Sequence, residues 1–423
     1  MKTILEPART IPVTHEVDLV VAGGGTAGVA CAVCAARAGL KVVLIEQTAQ
    51  AGGMVTAVTQ WLALYDFAPK GGFAREFLTY MENHEIYRKP CYNRYRLVTW
   101  FDRLLVENGV TVMFLTRAAA PILENGRIAG LIVESKRGRH AIRAKAVVDA
   151  TGDGDVAALA GAEFEYGRPQ DGRIQSASLS FTVGGFRHEA VNLKDELLPA
   201  LRQVRADYSL PYDAGNARVM TGAPGHWMMS ISHAFCDPLD PESLSQGLIE
   251  LRRQSEELLE LMNRTSYGNG GLYGLDFSPL PGIRESRRIV CDTNVTDDDW
   301  AEGKFYDDGI ITVCHNIDIH RCAEGEPAII VEKVKPYQIR YGALLPRGLD
   351  GMLVAGRCIG GSHKALASYR LISDCMAMGE AAALAAKQAI SRGVGLRQID
   401  VNALRGELIA RGSHLTQPLP PAG

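Results

Sequence analysis

Three consecutive glycines, Gly23, Gly24 and Gly25, sit between an apolar run and an alanine-rich run, and no other feature narrows the fold as much. Before them, Val17-Asp18-Leu19-Val20-Val21-Ala22 is short and rich in β-branched residues, as a strand buried on both faces requires. After them, Ala27 to Ala38 reads as a helix with Gly39 just past its end. Lys41 to Glu46 is a second apolar run. Strand, tight turn, helix and strand in this order make a βαβ unit, because parallel strands need a crossover.

The loop spells G-x-G-x-x-G from Gly23 to Gly28, with Thr26 and Ala27 opening the helix. Gly23 permits the tight turn, Gly25 lets backbone amides approach a pyrophosphate, and Gly28 allows close helix–strand packing. The helix N-terminus adds partial positive charge. Glu46, followed by Gln47, ends the second strand, where a carboxylate accepts hydrogen bonds from a ribose diol and repels a 2′-phosphate. NADP is therefore disfavoured. The competing reading, glycines that merely form a turn, does not account for strand, helix and acid in register. FAD is favoured over NAD on two further grounds. The strand that would close the domain, Met352 to Ala355, comes near the other end of the chain, and no second G-x-G-x-x-G follows a strand.

The rest of the chain fits a discontinuous domain. Its 423 residues, 47% hydrophobic and 22% charged, suffice for two domains. Arg96 to Glu107 and Asp374 to Ser391 read as helices, and Val110 to Leu115, Ala120 to Leu123, Arg127 to Ser135, His140 to Arg143 and Ala144 to Ala150 as strands. The middle is richer in polar, Pro and Gly residues and holds one amphipathic helix, Pro241 to Met262. The expected division is a nucleotide domain over 14–166 and 336–395, an inserted α+β substrate domain over 167–335, and a tail over 396–423. A net charge of -3 gives no case for nucleic acid or a membrane surface. Leu19 to Ala36 lacks charges, but its glycines would break a spanning helix. Nine scattered cysteines and an opening MKTILEPART without an apolar core suggest a reduced, cytoplasmic protein.

Several ordered motifs carry a resemblance from about Pro7 to Ala389: VDLVVAGGGTAGVA, LIEQTAQAGGMVTA, VVDATGDGDVAALAGA, RESRRI, DIH, LVAGRCIGGSHKALASYR and CMAMGEAAA. The chain resembles the FAD-dependent oxidoreductases distantly related to succinate dehydrogenase and fumarate reductase flavoprotein subunits. The resemblance implies an α/β fold, Rossmann-like and of the glutathione-reductase type. It places Gly23, Gly25 and Gly28 at the pyrophosphate, Glu46 at the adenosine ribose, and Gly52, Gly53 and Met54 toward the flavin. The backbone of Ala118 would pair with adenine, and Thr151 and Gly152 would form a second cofactor contact. Gly356 and Arg357 stand where relatives carry a Gly-Asp, so an arginine there would neutralise a phosphate oxygen. The helix near Asp374 would aim its N-terminus at the flavin. Ser373-Asp374 replaces a Pro-Thr, and an acid facing the flavin would lower its potential. No counterpart of the His-Ser motif of covalent relatives is present, so FAD is expected to be non-covalent.

For chemistry, flavin performs the hydride step and the protein orients substrate and moves a proton. Related fumarate reductases use arginines for both tasks. Arg284, Arg287 and Arg288 flank Glu285 and form either an anion clamp or an ion-pair network at a domain interface. His363 is the first candidate for proton handling, against a structural hydrogen bond. His320, two residues from Asp318, ranks lower, because strand alternation would pair them on one face at the surface. Tyr341 is a candidate donor or a packed core tyrosine; His226 and His233 are unassigned. Cys31 and Cys34 form C-x-x-C inside the first helix, where packing outweighs redox chemistry. Cys358 would lie near the flavin, its role open. No residues show metal spacing. The expected activity is hydride transfer to or from flavin N5 on a small polar metabolite, an anion among the choices, with the electron acceptor unidentified and a homo-oligomer left open. The alternatives are an isomerase or eliminase without net redox turnover, or a flavoprotein subunit of a larger electron-transfer complex.

Overall fold

The computed structural model describes residues 2–58, 64–84, 87–88, 91–92, 94–187, 190–211, 216–218, 225–417 and 419. Strand β1 (Val13–Ala22) leads through the glycine loop into helix α1 (Thr26–Arg37) and back to strand β2 (Val42–Ile45). β1 and β2 pair in parallel, with Leu19 opposite Val42 and Ala22 opposite Ile45. The small side chains of α1 let a second helix, α2 (Ile372–Arg392), lie against its backbone. A methyl group added to Gly379 of α2 would stand 2.0 Å from the Ala27 carbonyl oxygen. Cys31 and Cys34 are buried, free thiols on α1. Burial pushes the Cys34 thiol well above its ordinary range, the opposite of a reactive cysteine. The uncharged stretch Leu19 to Ala36 is thus strand, turn and helix, and among the described residues no helix is long and apolar enough to cross a membrane.

Five more strands complete the main sheet: β3 (Thr111–Met113), β4 (Arg117–Glu124), β5 (Arg127–Ser135), β6 (Gly138–Asp149) and β7 (Met352–Val354). The order is β3-β2-β1-β6-β5-β4, and β7 also pairs with β6. One expectation is corrected here: His140 to Arg143 and Ala144 to Ala150 are not two strands but the single strand β6. Its two halves have different neighbours. Gly138 to Arg143 pair antiparallel with β5, while Val147 to Asp149 pair in parallel with β7. One long strand therefore joins an antiparallel hairpin to a five-stranded parallel sheet.

The remaining elements divide among the main core and three smaller clusters. Strand Ala177–Gly184 pairs with His226–Ala234 and Tyr273–Phe277, and helix Pro241–Asn263 packs on that sheet. Asp240 caps the helix by accepting from the Glu242 amide, and Pro241 starts its first turn. Phe181, Trp227, Leu258 and Met262 meet in a cluster of their own. Ile289, Ile311 and Val313 instead join the main core. The interval 167–335 thus contributes to both. In the C-terminal stretch, helix Val401–Ala410 sends Leu404 and Leu408 into the main core, while 418 and 420–423 lie outside the described residues.

Candidate functional site

The parallel strands β1, β2, β6 and β7 all end at one cleft of about 1260 Å³, as expected where strand order reverses in an open α/β sheet. Gly23, Gly25, Thr26 and Ala27 line it from the first loop, Glu46 and Gln47 from the end of β2, and Ala118 from β4. Gly53, Met54, Thr151, Gly152, Gly356 and Arg357 complete this part of the wall. Gly28 and Gly52 stand behind it and shape it. Gly28 touches the turn it follows, and a methyl group on Gly52 would reach 2.4 Å from the Thr56 side chain. Gly25 differs from both: a methyl group there would meet nothing within 4 Å. The space beside it is the cleft, bounded by the N-terminus of α1, and these features fit a dinucleotide pyrophosphate.

Glu46 is 8% exposed, and both its oxygens are engaged by backbone. Oε2 accepts from Gly24 N at 2.6 Å and Oε1 from Thr48 N at 2.7 Å. Each oxygen keeps a second lone pair for a ribose hydroxyl. Arg357 donates from Nη2 to Asp153 Oδ1 at 2.6 Å and from Nη1 to Ser286 Oγ at 2.8 Å, so its charge is shared with the loop after β6. That loop is held by Asp149, whose carboxylate accepts from Thr151 Oγ1 at 2.7 Å and Ala157 N at 2.9 Å. Burial nevertheless raises the Asp149 carboxyl above its ordinary value.

Beyond the nucleotide end, the wall becomes polar. Ser178, Ser180, Ser230, Arg284, His315, Asp318, His320 and Arg370 all line it. The Asp318–His320 pair lies on strand Ile317–His320 and shares one face, as alternation requires, but that face is the cleft and not the surface. His320 Nε2 is 3.5 Å from Asp318 Oδ1. Burial first, then Arg284 and Arg370, hold the His320 ring far below its ordinary range, so the contact is not an ion pair. The His233 ring lies 5.4 Å from it and is pushed down to about 3 by burial, Arg284 and Arg321. Arg284 donates to Ser176 O at 3.1 Å. Arg370 donates to Asp318 O at 2.7 Å, Arg284 O at 3.0 Å and Gln175 Oε1 at 3.1 Å.

Arg288 and His363, named from the sequence beside Arg284 and His320, stand elsewhere. Neither lines the cleft. Arg288 Nη1 and His363 Nδ1 both reach Glu285 Oε1, at 2.6 and 2.8 Å, and all three side chains are buried. Arg288 also donates to Gly361 O and Gly167 O, each at 2.9 Å, tying three chain segments together. Arg287 pairs with Asp155 at 2.9 Å. Tyr341 is a core tyrosine whose hydroxyl donates to Leu396 O at 2.9 Å. Cys358 is fully buried, and burial raises its thiol. Asp374 does not line the cleft; it turns to Lys70, 2.8 Å away.

Arg370, Asp66 and His315 line the cleft without having been singled out. Arg370 follows the matched stretch LVAGRCIGGSHKALASYR as its last residue, a signal that was available. Asp66 and His315 come from segments whose position only tertiary packing decides.

Comparison with known proteins agrees with this geometry. The model of the FAD dependent oxidoreductase family matches residues 18–408. Digeranylgeranylglycerophospholipid reductase 2 of Methanopyrus kandleri is 28% identical over 158 residues, 32% of this chain and 38% of that protein. Protein FixC of Azotobacter vinelandii is 28% identical over 206 residues, 42% of this chain and 46% of its own. The chain thus spans less than half the length of these relatives. Among solved structures, a geranylgeranyl bacteriochlorophyll reductase-like protein of Thermoplasma acidophilum superposes with a TM-score of 0.50 at 15% identity, covering 95% of this chain and 85% of that one. A p-nitrophenol 4-monooxygenase of Pseudomonas putida gives 0.50 at 14% identity, with 94% and 85% covered. At such identities these two likenesses show the fold alone. Glycine loop, ribose acid, parallel sheet and a family match over most of the chain lead to one conclusion: this protein belongs to the FAD dependent oxidoreductase family and is an FAD-dependent enzyme.

Proposed function

We propose that the enzyme acts on a small polar, anionic metabolite, passing a hydride between that substrate and flavin N5. FAD, when bound, supplies the hydride acceptor or donor. The glycine loop and the N-terminus of α1 would hold its pyrophosphate, Glu46 its ribose, and Ala118, Thr151, Gly152, Gly356 and Arg357 its flanks. Motif order supports a distant kinship with succinate dehydrogenase and fumarate reductase flavoproteins, with FAD non-covalent. Residues 167–335 would supply the substrate side. Buried free thiols support a reducing, cytoplasmic setting.

One observation carries the choice of an anion. Arg370 is half-buried in the cleft wall, its three hydrogen bonds go to neutral oxygens, and among the described residues no carboxylate lies within ion-pair distance. Burial pulls its pKa down, but a guanidinium stays charged. A half-buried cation that faces a cleft with no carboxylate partner calls for an anion. Arg284 on the same wall adds a second charge. A bound carboxylate would also offset the arginine charges that, after burial, hold the His320 ring down. The lipid named in the digeranylgeranylglycerophospholipid reductases would meet serines, histidines and arginines here.

Anaerobic incubation with a panel of acids, polyols and sugars tests the reading. A hydroxy or amino acid should bleach the flavin absorbance, and Arg284→Met should raise its KM about tenfold or more. Bleaching by uncharged compounds alone would reject the anion. Turnover of a compound without bleaching would favour an isomerase or eliminase, and co-purifying subunits an electron-transfer complex.

A further inference from the structure

A buried charge cluster opens on the cleft beside the start of α2. Asp66 and Lys70 are four residues apart, and Asp374 is one residue past Ser373. All four side chains are at most 2% exposed. Lys70 Nζ is 2.8 Å from Asp374 Oδ1 and 3.6 Å from Asp66 Oδ1, and it donates to Thr312 O at 2.5 Å. Ser373 Oγ donates to Asp66 Oδ2. Only Asp66 and Ser373 reach the cleft wall; Lys70 and Asp374 lie behind them.

We infer that Asp374, Lys70, Asp66 and Ser373 form a proton relay that opens into the cleft at the Ser373 hydroxyl. Two carboxyls share one ammonium in a buried site, so the fully ionised cluster would carry an unpaired negative charge, which burial makes costly. An extra proton resolves this. Burial first, and Asp66 second, push the Asp374 carboxyl well above the ordinary range, making it the holder. Burial alone would lower the Lys70 ammonium, but Asp374 and Asp66 raise it overall, so the lysine stays charged between them. The other titratable groups facing the cluster are Cys314, His315, Tyr337 and Cys375.

The transfer balances without electrons. The Ser373 hydroxyl turns from Asp66 to an acceptor in the cleft. In one concerted shift Asp374 gives its proton to Lys70, Lys70 gives one to ionised Asp66, Asp66 passes it to Ser373, and Ser373 releases its own to that acceptor. One proton leaves, and Asp374 ends ionised. In the reverse direction the cluster absorbs a proton released in the cleft. The hydride reaction needs such a partner, because each hydride moved from a hydroxyl- or amino-bearing carbon leaves a proton to place. Asp374 and Lys70 act through Asp66 and Ser373, as positioning residues.

The relay rests on FAD occupying the cleft, and infrared difference spectra of the FAD-loaded protein during electrochemical reduction test it separately. The wild type should lose the absorption of about one protonated carboxyl per flavin. Asp374→Asn should show no such loss. Should that variant fail to fold, Ser373→Ala keeps every carboxyl but removes the bridge, and its protonated carboxyl should survive reduction. Ser373→Thr, which restores a hydroxyl, should restore the loss. An unchanged carboxyl signal in the wild type, or a loss of equal size and rate in Ser373→Ala, overturns the relay. Protein that takes up no flavin would instead overturn the cofactor site.

Discussion

Gly28 stands so close to Gly23 that a methyl group built on it would lie 1.8 Å from the Gly23 carbonyl oxygen. Helix α1 and the turn before it therefore meet backbone to backbone. Gly28→Ala should cost about 3 kcal/mol or more, since neither partner is a movable side-chain end. Gly25→Ala offers the opposite case. Its methyl group has room and a φ of -67°, so the protein should unfold at the wild-type denaturant concentration. That methyl group would point into the space assigned to the pyrophosphate, and FAD should bind at least tenfold more weakly. Denaturation midpoints and flavin titrations on the two variants separate a loop that only turns from a loop that binds.

Glu46 supports the loop and the ribose with one carboxylate. Glu46→Gln replaces an acceptor with an amide nitrogen that must face either Gly24 N or Thr48 N, two donors 2.6 and 2.7 Å from the present oxygens. One donor is then left without its acceptor, at a cost of roughly 1–3 kcal/mol. FAD affinity should fall about tenfold or more, and ADP affinity should fall by a similar factor, because the lesion is at the adenosine end. An equal affinity for ADP in variant and wild type would remove Glu46 from the ribose site.

Arg288, Glu285 and His363 form a closed network away from the cleft wall, which separates their contribution from that of Arg284. Glu285 is 0% exposed and Arg288 2%. Arg288→Met leaves Glu285 with the His363 ring as its remaining side-chain partner and frees the carbonyls of Gly361 and Gly167. Such a buried deletion should destabilise by about 3–5 kcal/mol. The variant that remains folded should bleach with the same substrate and a KM within about twofold of the wild type. A tenfold loss of kcat in folded protein would instead place Arg288 in the chemistry.

What the sequence disclosed, and what it did not, follows from the range of each interaction. The βαβ unit, helix Pro241–Asn263 and helix α2 were legible because periodicity and end signals lie within each segment. The acid at Glu46 was legible because the strand fixes its distance from the loop. Strand β6 was split in two because its pattern changes at Ala144, where its partner changes from β5 to β7. The Asp318–His320 alternation was read rightly, but which face meets the cleft depends on packing against Gln175 and Arg370, far away in the chain. His363 looked close to the site by its distance from β7, yet Glu285 turns it aside. Lys70 and Asp66 gave no local sign, since their partner is more than 300 residues away.

His233 makes the cleft wall sensitive to acid. Its ring accepts or donates at Ser176 Oγ, 3.0 Å away, and faces Arg284, Arg321 and the His320 ring. Burial and these arginines take its pKa from 6.5 to about 3 in the folded protein. The folded state therefore binds a proton less readily than the unfolded chain. Stability from this group is complete above pH 6.5 and declines as pH falls toward the folded value, by on the order of 2 kcal/mol at pH 5. His233→Asn keeps a polar contact for Ser176 but cannot titrate, so its stability should fall less steeply between pH 6.5 and 5 than that of the wild type. A carboxylate ligand bound at Arg284 and Arg370 should shrink the difference, because it offsets the charges that depress the ring. Chemical denaturation at several pH values, with and without such a ligand, measures both effects; parallel curves for variant and wild type would show that the ring contributes nothing to acid sensitivity.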